Sequence, residues 1–385
     1  MMSYDVVVIG GGLTGNHAAY LLAKSGLKVA VLEEHSLVGR PWFCTGIVGR
    51  RGFDRLNFPT EFIQQRLHSA SFFSPSGKRL HVSRQDTQAY VLNRSQFDYY
   101  LAEKALKEGA EIFCSTKCSG IEIHQDAVWV KAIESGNSHT LKAQVCLLAT
   151  GVNYALHDRL GLGRPSGFLD SAQVEVEGEG FEEVELFLGH HISPASFAWA
   201  VPVGFDRVRI GVTAKSNAAQ YLKRLLALSK IRERIHEADP KVTRRVIPLG
   251  PIKKSYTRRL LAMGDAAGQV KPTTGGGIYY GLLCSGIAAE VTQAAFACGN
   301  FEEEQFKTYE SQWKDKIGLE LTVGLSARKL LSKCSDRQID ALIELGQHER
   351  VLELIKKYAD FDWHKRLILA LAKAQFLMKR VSSLY

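Results

Sequence analysis

No segment of the 385-residue chain is continuously apolar over the roughly 18 residues that a membrane-spanning helix requires. The apolar stretch at 4–12 is too short for a span or a secretory leader, and it runs into a glycine turn, so it reads as a buried strand. The protein is expected to be cytoplasmic, with peripheral membrane contact at most. Cysteine is sparse. The seven positions (44, 114, 118, 146, 284, 298 and 334) are odd in number and lack framework spacing, which suits a reducing compartment. Cys114-x-x-x-Cys118 has no second pair and no neighbouring histidine, so no metal site is expected. Internal repeats, low-complexity tracts and nucleic-acid motifs are also missing. The net charge of +9 is therefore compatible with an anionic substrate, an anionic membrane surface or nothing specific, and is not read as nucleic-acid binding.

What is present is glycine in two ordered clusters. The first follows an apolar run, Val6–Ile9, as Gly10-x-Gly12-x-x-Gly15. A helical pattern comes next (Leu13, Ala18, Leu21, Leu22), then a second apolar run, Val29–Leu32, ending in Glu33. This is the strand–turn–helix–strand setting of a dinucleotide-binding unit. Gly10 permits the tight turn, Gly12 lets backbone approach a pyrophosphate, and Gly15 lets helix and strand pack. The pyrophosphate would sit on the orphan N–H groups of the helix start. Glu33 is placed to accept from a ribose 2′-OH and would repel a 2′-phosphate, so the tightly held nucleotide is not NADP.

The second cluster selects the nucleotide. A short apolar strand, Leu260–Met263, enters Gly264-Asp265-Ala266-Ala267-Gly268, and Gly275-Gly276-Gly277 then opens an apolar helix. NAD needs no second site so far along a chain, whereas FAD extends well beyond its ADP half. Asp265 is suited to ribityl hydroxyls. The helix start after Gly275 would offer N–H groups to the flavin N1/O2 edge, where reduced flavin carries negative charge.

Elsewhere the pattern divides the chain. Asn93 is a plausible cap for a helix from Arg94 to about Glu108, which Gly109 would stop. Val145–Leu148 reads as a buried strand ending in Ala149-Thr150-Gly151, a turn suited to packing on the nucleotide. Residues 170–215 alternate as strands, and the chain is helical from Glu302 onward. The fold class expected is α/β. A Rossmann-type FAD domain (1–70, 90–165 and 245–300) is interrupted by a β-rich substrate domain (71–89 and 166–244), and a helical region (301–385) follows. His190-His191 lie between strands with no carboxylate near in sequence and read as packing residues. The stretch 363–385 is amphipathic, with Leu367, Leu371, Ala374, Met378 and Val381 on one side and no acid after Asp362. It suits either a packed terminal helix or one lying on a membrane surface.

Four motifs together resemble the geranylgeranyl reductase family, FAD enzymes that hydrogenate isoprenoid C=C bonds. They are the Gly10–Glu33 unit, Pro41-x-x-Cys44-Thr45-Gly46, Pro194-x-x-Phe197-x-Trp199-x-Val201-Pro202, and Gly264–Gly268 with Gly275–Gly277. Thr45 stands where the family has glycine, Phe197 where it has tyrosine, and Val201 where it has phenylalanine. The resemblance implies FAD as cofactor. It implies cofactor contacts at Gly10, Gly12, Leu13, Thr14, Gly15, Glu33, Glu34, Arg40, Cys44, Thr45, Arg94, Ala149, Thr150, Gly151, Gly264, Asp265, Gly275, Gly276, Gly277 and Ile278. Cys44 and Tyr279 are the candidate proton donors. Phe197, Trp199, Val201 and Pro202 are candidates for an apolar substrate wall, since alternate strand residues share a face. The implied partners are an isoprenoid lipid or prenyl diphosphate and an electron donor, NAD(P)H or a ferredoxin-type carrier. A flavin monooxygenase or halogenase on the same fold is the main rival, because the Phe197–Pro202 strand is near the halogenase WxWxIP pattern. An electron-transfer dehydrogenase lacks support, as no iron–sulfur spacing is present. A non-catalytic prenyl-binding relative is a further alternative.

Overall fold

The computed structural model describes residues 2–41 and 43–382, with side chains to residue 373. The chain forms two compact units. The first comprises the described residues up to Pro41, Asn93–Gly167 and Pro248–Leu321. The second comprises Phe43–Leu92, Phe168–Ile247 and the residues from Thr322 onward. Residues 43–70 thus group with the second unit, and the helical stretch after Glu302 divides at Leu321.

In the first unit, Val6, Val7 and Val8 and the run Val29–Leu32 are almost fully buried, which is how parallel strands covered on both faces read in sequence. Strand Met2–Ile9 pairs in parallel with Val29–Leu32 on one side and with Asn137–Leu148 on the other. Glu111–Phe113 extends the sheet beyond Val29–Leu32, and Leu260–Ala262 and Tyr256–Thr257 extend it beyond Asn137–Leu148. Because the strands run parallel, Ile9, Leu32, Leu148 and Ala262 end at one edge, where their loops gather. Helix Leu13–Lys24 packs on Ile278–Cys298 and on Arg94–Lys107. The last of these is capped by Asn93, whose side chain accepts from the Gln96 N–H at 3.2 Å, and Gly109 follows it at φ +94°. Among the described residues, Ile278–Cys298 is the one helix long and apolar enough to cross a bilayer; just over half of its most apolar stretch is buried within the fold.

The second unit is built on a sheet ordered Thr243–Leu249, Gly167–Glu177, Arg207–Ala214, Ala198–Gly204, Val184–Phe187, Ser69–Phe73 and Arg79–Ser83. The alternation read from sequence resolves into two faces. Ala172, Val174, Val208, Ile210, Val212 and Ala200 bury one face against the helix Ala218–Leu226. The opposite face carries Gln173, Glu175, Arg209, Gly211, Trp199 and Val201, which oppose one another across antiparallel pairs. A smaller sheet, Ile47–Gly49, Ala89–Leu92 and Ile63–Leu67, supplies Leu67, Ala89 and Val91 to a core shared with Trp199 and Val201. The terminal helix runs Lys365–Ser382. The side-chain pattern from Ala374 to Val381 lies outside the described residues.

Candidate active site

The chain leaves its first strand at Gly10 with φ +104°, a conformation few side chains tolerate. An ideal Cβ on Gly10 would lie 2.3 Å from the Ala149 carbonyl oxygen, and one on Gly15 would lie 1.9 Å from the Gly10 oxygen. Gly12 differs. Its backbone is extended, with φ −77°, and a Cβ there would meet nothing within 4 Å. Packing demands Gly10 and Gly15, whereas Gly12 faces open space. Helix Leu13–Lys24 starts at Gly12 with no side-chain cap and no acid in its first turn, so its N–H groups remain for an anion. Leu13 is buried, so its contribution here is backbone. Around this turn, Asn16 Nδ2 donates to the Gly11 carbonyl, and Glu33 Oε2 accepts the Gly11 N–H at 2.7 Å. Glu33 Oε1 accepts the His35 N–H at 2.9 Å and meets His35 Nδ1 at 2.5 Å. The sequence pattern pointed to Glu33 but not to Gly11, Asn16 or His35, whose contacts form only when the turn closes. Glu34 and Arg40 are exposed.

The second glycine cluster meets the first at Thr14. Ideal Cβ atoms on Gly264 and Gly281 would lie 2.8 and 2.6 Å from Thr14 Oγ1, so this side chain occupies the space both glycines leave. The turn is fixed further by Gly264 N–H donating to Gln269 Oε1 at 2.8 Å and by Tyr154 O–H donating to the Asp265 carbonyl at 2.6 Å. A Cβ on Gly277 would come within 2.9 Å of Asp265 Oδ1. Gly275 has φ +75° and donates its N–H to the Lys271 carbonyl at 2.8 Å. A Cβ on Gly276 would press on Lys271 Cε at 2.7 Å. Helix Ile278–Cys298 then starts at Gly277, again with no side-chain cap and no acid in the first turn. Ile278 and Tyr279 are buried. Beside the first cradle, Ala149 N–H donates to the Ile9 carbonyl at 2.8 Å, Thr150 Oγ1 to the Asn153 carbonyl at 2.9 Å, and Gly151 turns the chain at φ +59°. Arg94 engages Asp98 through Nε and Nη2, both at 3.0 Å. Two uncapped helix starts and a glycine facing open space, joined in one unit, fit a long dinucleotide with an anionic centre.

In the second unit, Cys44 is partly buried, and its Sγ accepts the Gly46 N–H at 3.3 Å. Thr45 Oγ1 donates to Gln173 Oε1 at 2.6 Å. Phe197 and Trp199 share a face, with ring centroids 5.8 Å apart and planes at 52°. Trp199 and Val201 are buried, and Trp199 Nε1 finds no acceptor among the described residues. Pro202 follows on the strand, opposite Val208. His190, expected to lack a carboxylate, has one. Its Nδ1 meets Asp336 Oδ1 at 2.8 Å, and its N–H donates to the same oxygen at 2.9 Å. The two lie 146 positions apart, so no local pattern announces the pair.

Fold and cradle together define an α/β protein with the Rossmann-type architecture of FAD-binding flavoproteins. The lycopene cyclase protein family matches residues 5–327. A digeranylgeranylglycerophospholipid reductase of Methanocaldococcus jannaschii is 35% identical over 92% of this chain and 93% of that protein. A second protein of that name, from Methanothermobacter thermautotrophicus, is 31% identical over 89% and 91%. Among solved structures, a geranylgeranyl bacteriochlorophyll reductase-like protein of Thermoplasma acidophilum superposes with a TM-score of 0.85, at 22% identity, over 97% of this chain and 99% of that one. A halogenase in complex with FAD shares the fold at a TM-score of 0.68 and 18% identity, covering 90% and 84%. The chain belongs to the geranylgeranyl reductase family.

Proposed function

We propose that this protein hydrogenates C=C bonds of an isoprenoid chain carried by a lipid or prenyl diphosphate, with FAD as its cofactor. The observation that carries the reading is the pair of uncapped, glycine-led helix starts joined through Thr14, together with the Cys44 turn and the Phe197–Trp199 face. Gly10, Gly12, Gly15, the Leu13 and Thr14 backbone and Glu33 would hold the ADP half. Asp265, Gly275, Gly276, Gly277 and the Ile278 backbone would hold the ribityl and ring portion, with Ala149–Gly151, Arg94, Glu34 and Arg40 flanking. FAD held by these residues would supply the hydride chemistry when reduced, with NAD(P)H or a ferredoxin-type carrier as the source of its two electrons.

An unactivated alkene is a poor hydride acceptor, so the second carbon must receive a proton as the first receives hydride. An acid held in position is therefore required. Cys44 is that donor in this reading, with Tyr279 the other candidate. The Gly46 N–H fixes the direction of the Cys44 sulfur lone pair. Phe197, Trp199, Val201 and Pro202 give the isoprenoid an apolar surface and keep water from it. Membrane contact, where the lipid is drawn from a bilayer, is peripheral. The test uses digeranylgeranylglycerophospholipid with dithionite-reduced enzyme. Cys44→Ala is expected to lose most turnover at full flavin occupancy. Full turnover in both Cys44→Ala and Cys44→Ser removes the thiol from the chemistry.

A further inference from the structure

The Cys44–Gly46 turn belongs to no helix or strand, yet its backbone is held by a buried ionic group. Arg209, with 5% of its side chain exposed, sends its donors to different segments. Nε donates to Glu175 Oε2 at 2.8 Å, Nη1 to the Thr45 carbonyl at 2.7 Å, and Nη2 to Gln64 Oε1 at 3.1 Å. Glu175 keeps a second partner, Arg207 Nε, at 2.9 Å on Oε1. The planar fork of a guanidinium fixes all these directions at once, which a flexible ammonium does not. Gly46 makes the approach possible. It turns at φ +83°, and a Cβ there would lie 2.9 Å from Nη1 and 2.6 Å from the Leu92 carbonyl. Thr45, the departure from the family's glycine, has its own fastening in the 2.6 Å bond to Gln173, a side chain 3% exposed. The central residue of the turn is thus held at its carbonyl and its hydroxyl. The residue before it carries the thiol, and the residue after it donates an N–H to that thiol.

We propose that Arg209 is a positioning residue for the Cys44 thiol, acting through the Thr45 carbonyl, with Gln173 as a second anchor on the Thr45 hydroxyl. The proposal rests on the reading in which Cys44 serves the proton step. Movement of the Thr45 carbonyl displaces both the thiol and the N–H that orients it, and displacement on the scale of an ångström is enough to lose a reacting geometry.

The test is the rate of Cys44 alkylation by iodoacetamide in the full-length protein, resolved by peptide mass spectrometry and measured across pH. Arg209→Met removes the clamp while Glu175 stays paired with Arg207. The expected result is a roughly 10-fold faster alkylation of Cys44 with a displaced pH profile, while exposed Cys298 reacts unchanged. Should Arg209→Met not fold, the Thr45→Gly and Gln173→Leu variants are read the same way, with a smaller rise in rate expected. Wild-type Cys44 rate and pH profile in every folded variant overturns the proposal. If Cys44→Ala keeps full turnover while Arg209→Met still alters alkylation, the positioning stands and the catalytic reading of the thiol falls.

Discussion

Gly211 lies directly across an antiparallel pair from Trp199, and the indole occupies the volume a side chain on Gly211 would need. An ideal Cβ on Gly211 would sit 2.3 Å from Trp199 Cζ2 and 2.6 Å from Cε2. The glycine is thus part of how the tryptophan lies flat over the sheet, between the Gln173 strand and its own. Its conservative replacement, Gly211→Ala, is expected to destabilise the fold by about 1–3 kcal/mol through overpacking. Urea unfolding measures it. In a Trp199→Ala background the same change is expected to cost under about 1 kcal/mol, because the clash has been removed. Equal costs in the two backgrounds would show that the indole is not what excludes a side chain at 211.

The two glycines of the first cradle are expected to behave differently. Gly15→Ala drives a methyl group into the Gly10 carbonyl and should impair folding with or without flavin. Gly12→Ala meets no protein atom, and its backbone is one that alanine adopts, so the flavin-free protein should lose only about 1 kcal/mol, the difference between glycine and alanine at a helix N-cap. Flavin affinity should nevertheless fall, since the methyl group enters the space facing the helix start. Calorimetric melting of the flavin-free proteins, followed by FAD titration, separates the two effects.

Stability should decline in mild acid through His17. This residue is buried between the helices Leu13–Lys24 and Ile278–Cys298, and burial, aided by the Lys104 charge, pushes its pKa down to about 4. Ser285 Oγ donates to the Leu282 carbonyl at 2.9 Å, so the 2.7 Å contact to His17 places the imidazole proton on Nδ1. The unfolded chain takes up a proton near pH 6.5, which the folded chain refuses until about pH 4. Stability is therefore full above pH 6.5 and falls as pH drops from there to about 4, by about 3 kcal/mol in all. Urea unfolding at pH 7.5 and 4.5 should show a smaller pH difference in His17→Gln. An unchanged difference assigns the acid sensitivity elsewhere.

How far the sequence disclosed this molecule depended on distance along the chain. The Gly10–Gly15 turn, the Asn93 cap and the shared face of Phe197, Trp199 and Val201 are local patterns, and backbone geometry alone makes them readable. The Thr45–Gln173 bond spans 128 positions and the Arg209 grip on Thr45 spans 164, and no period in the sequence encodes either. Glu33 shows an intermediate case. Its spacing from the glycines marked it as a site residue, but its bond to the Gly11 N–H requires the turn and the second strand to be assembled first. The pairing of Trp199 with Gly211 likewise depends on strand register, which is set by which face of the sheet is buried.

The most direct measurement of the central claim joins a visible spectrum of the purified protein with the masses of isoprenoid lipids from cells that express it beside a prenyl-lipid pathway. The account predicts a yellow protein and lipids heavier by whole pairs of hydrogen atoms. Reduction adds mass whereas cyclisation does not, so lipids rearranged without a change in mass would contradict it. A colourless protein that FAD cannot reconstitute would contradict it at its root.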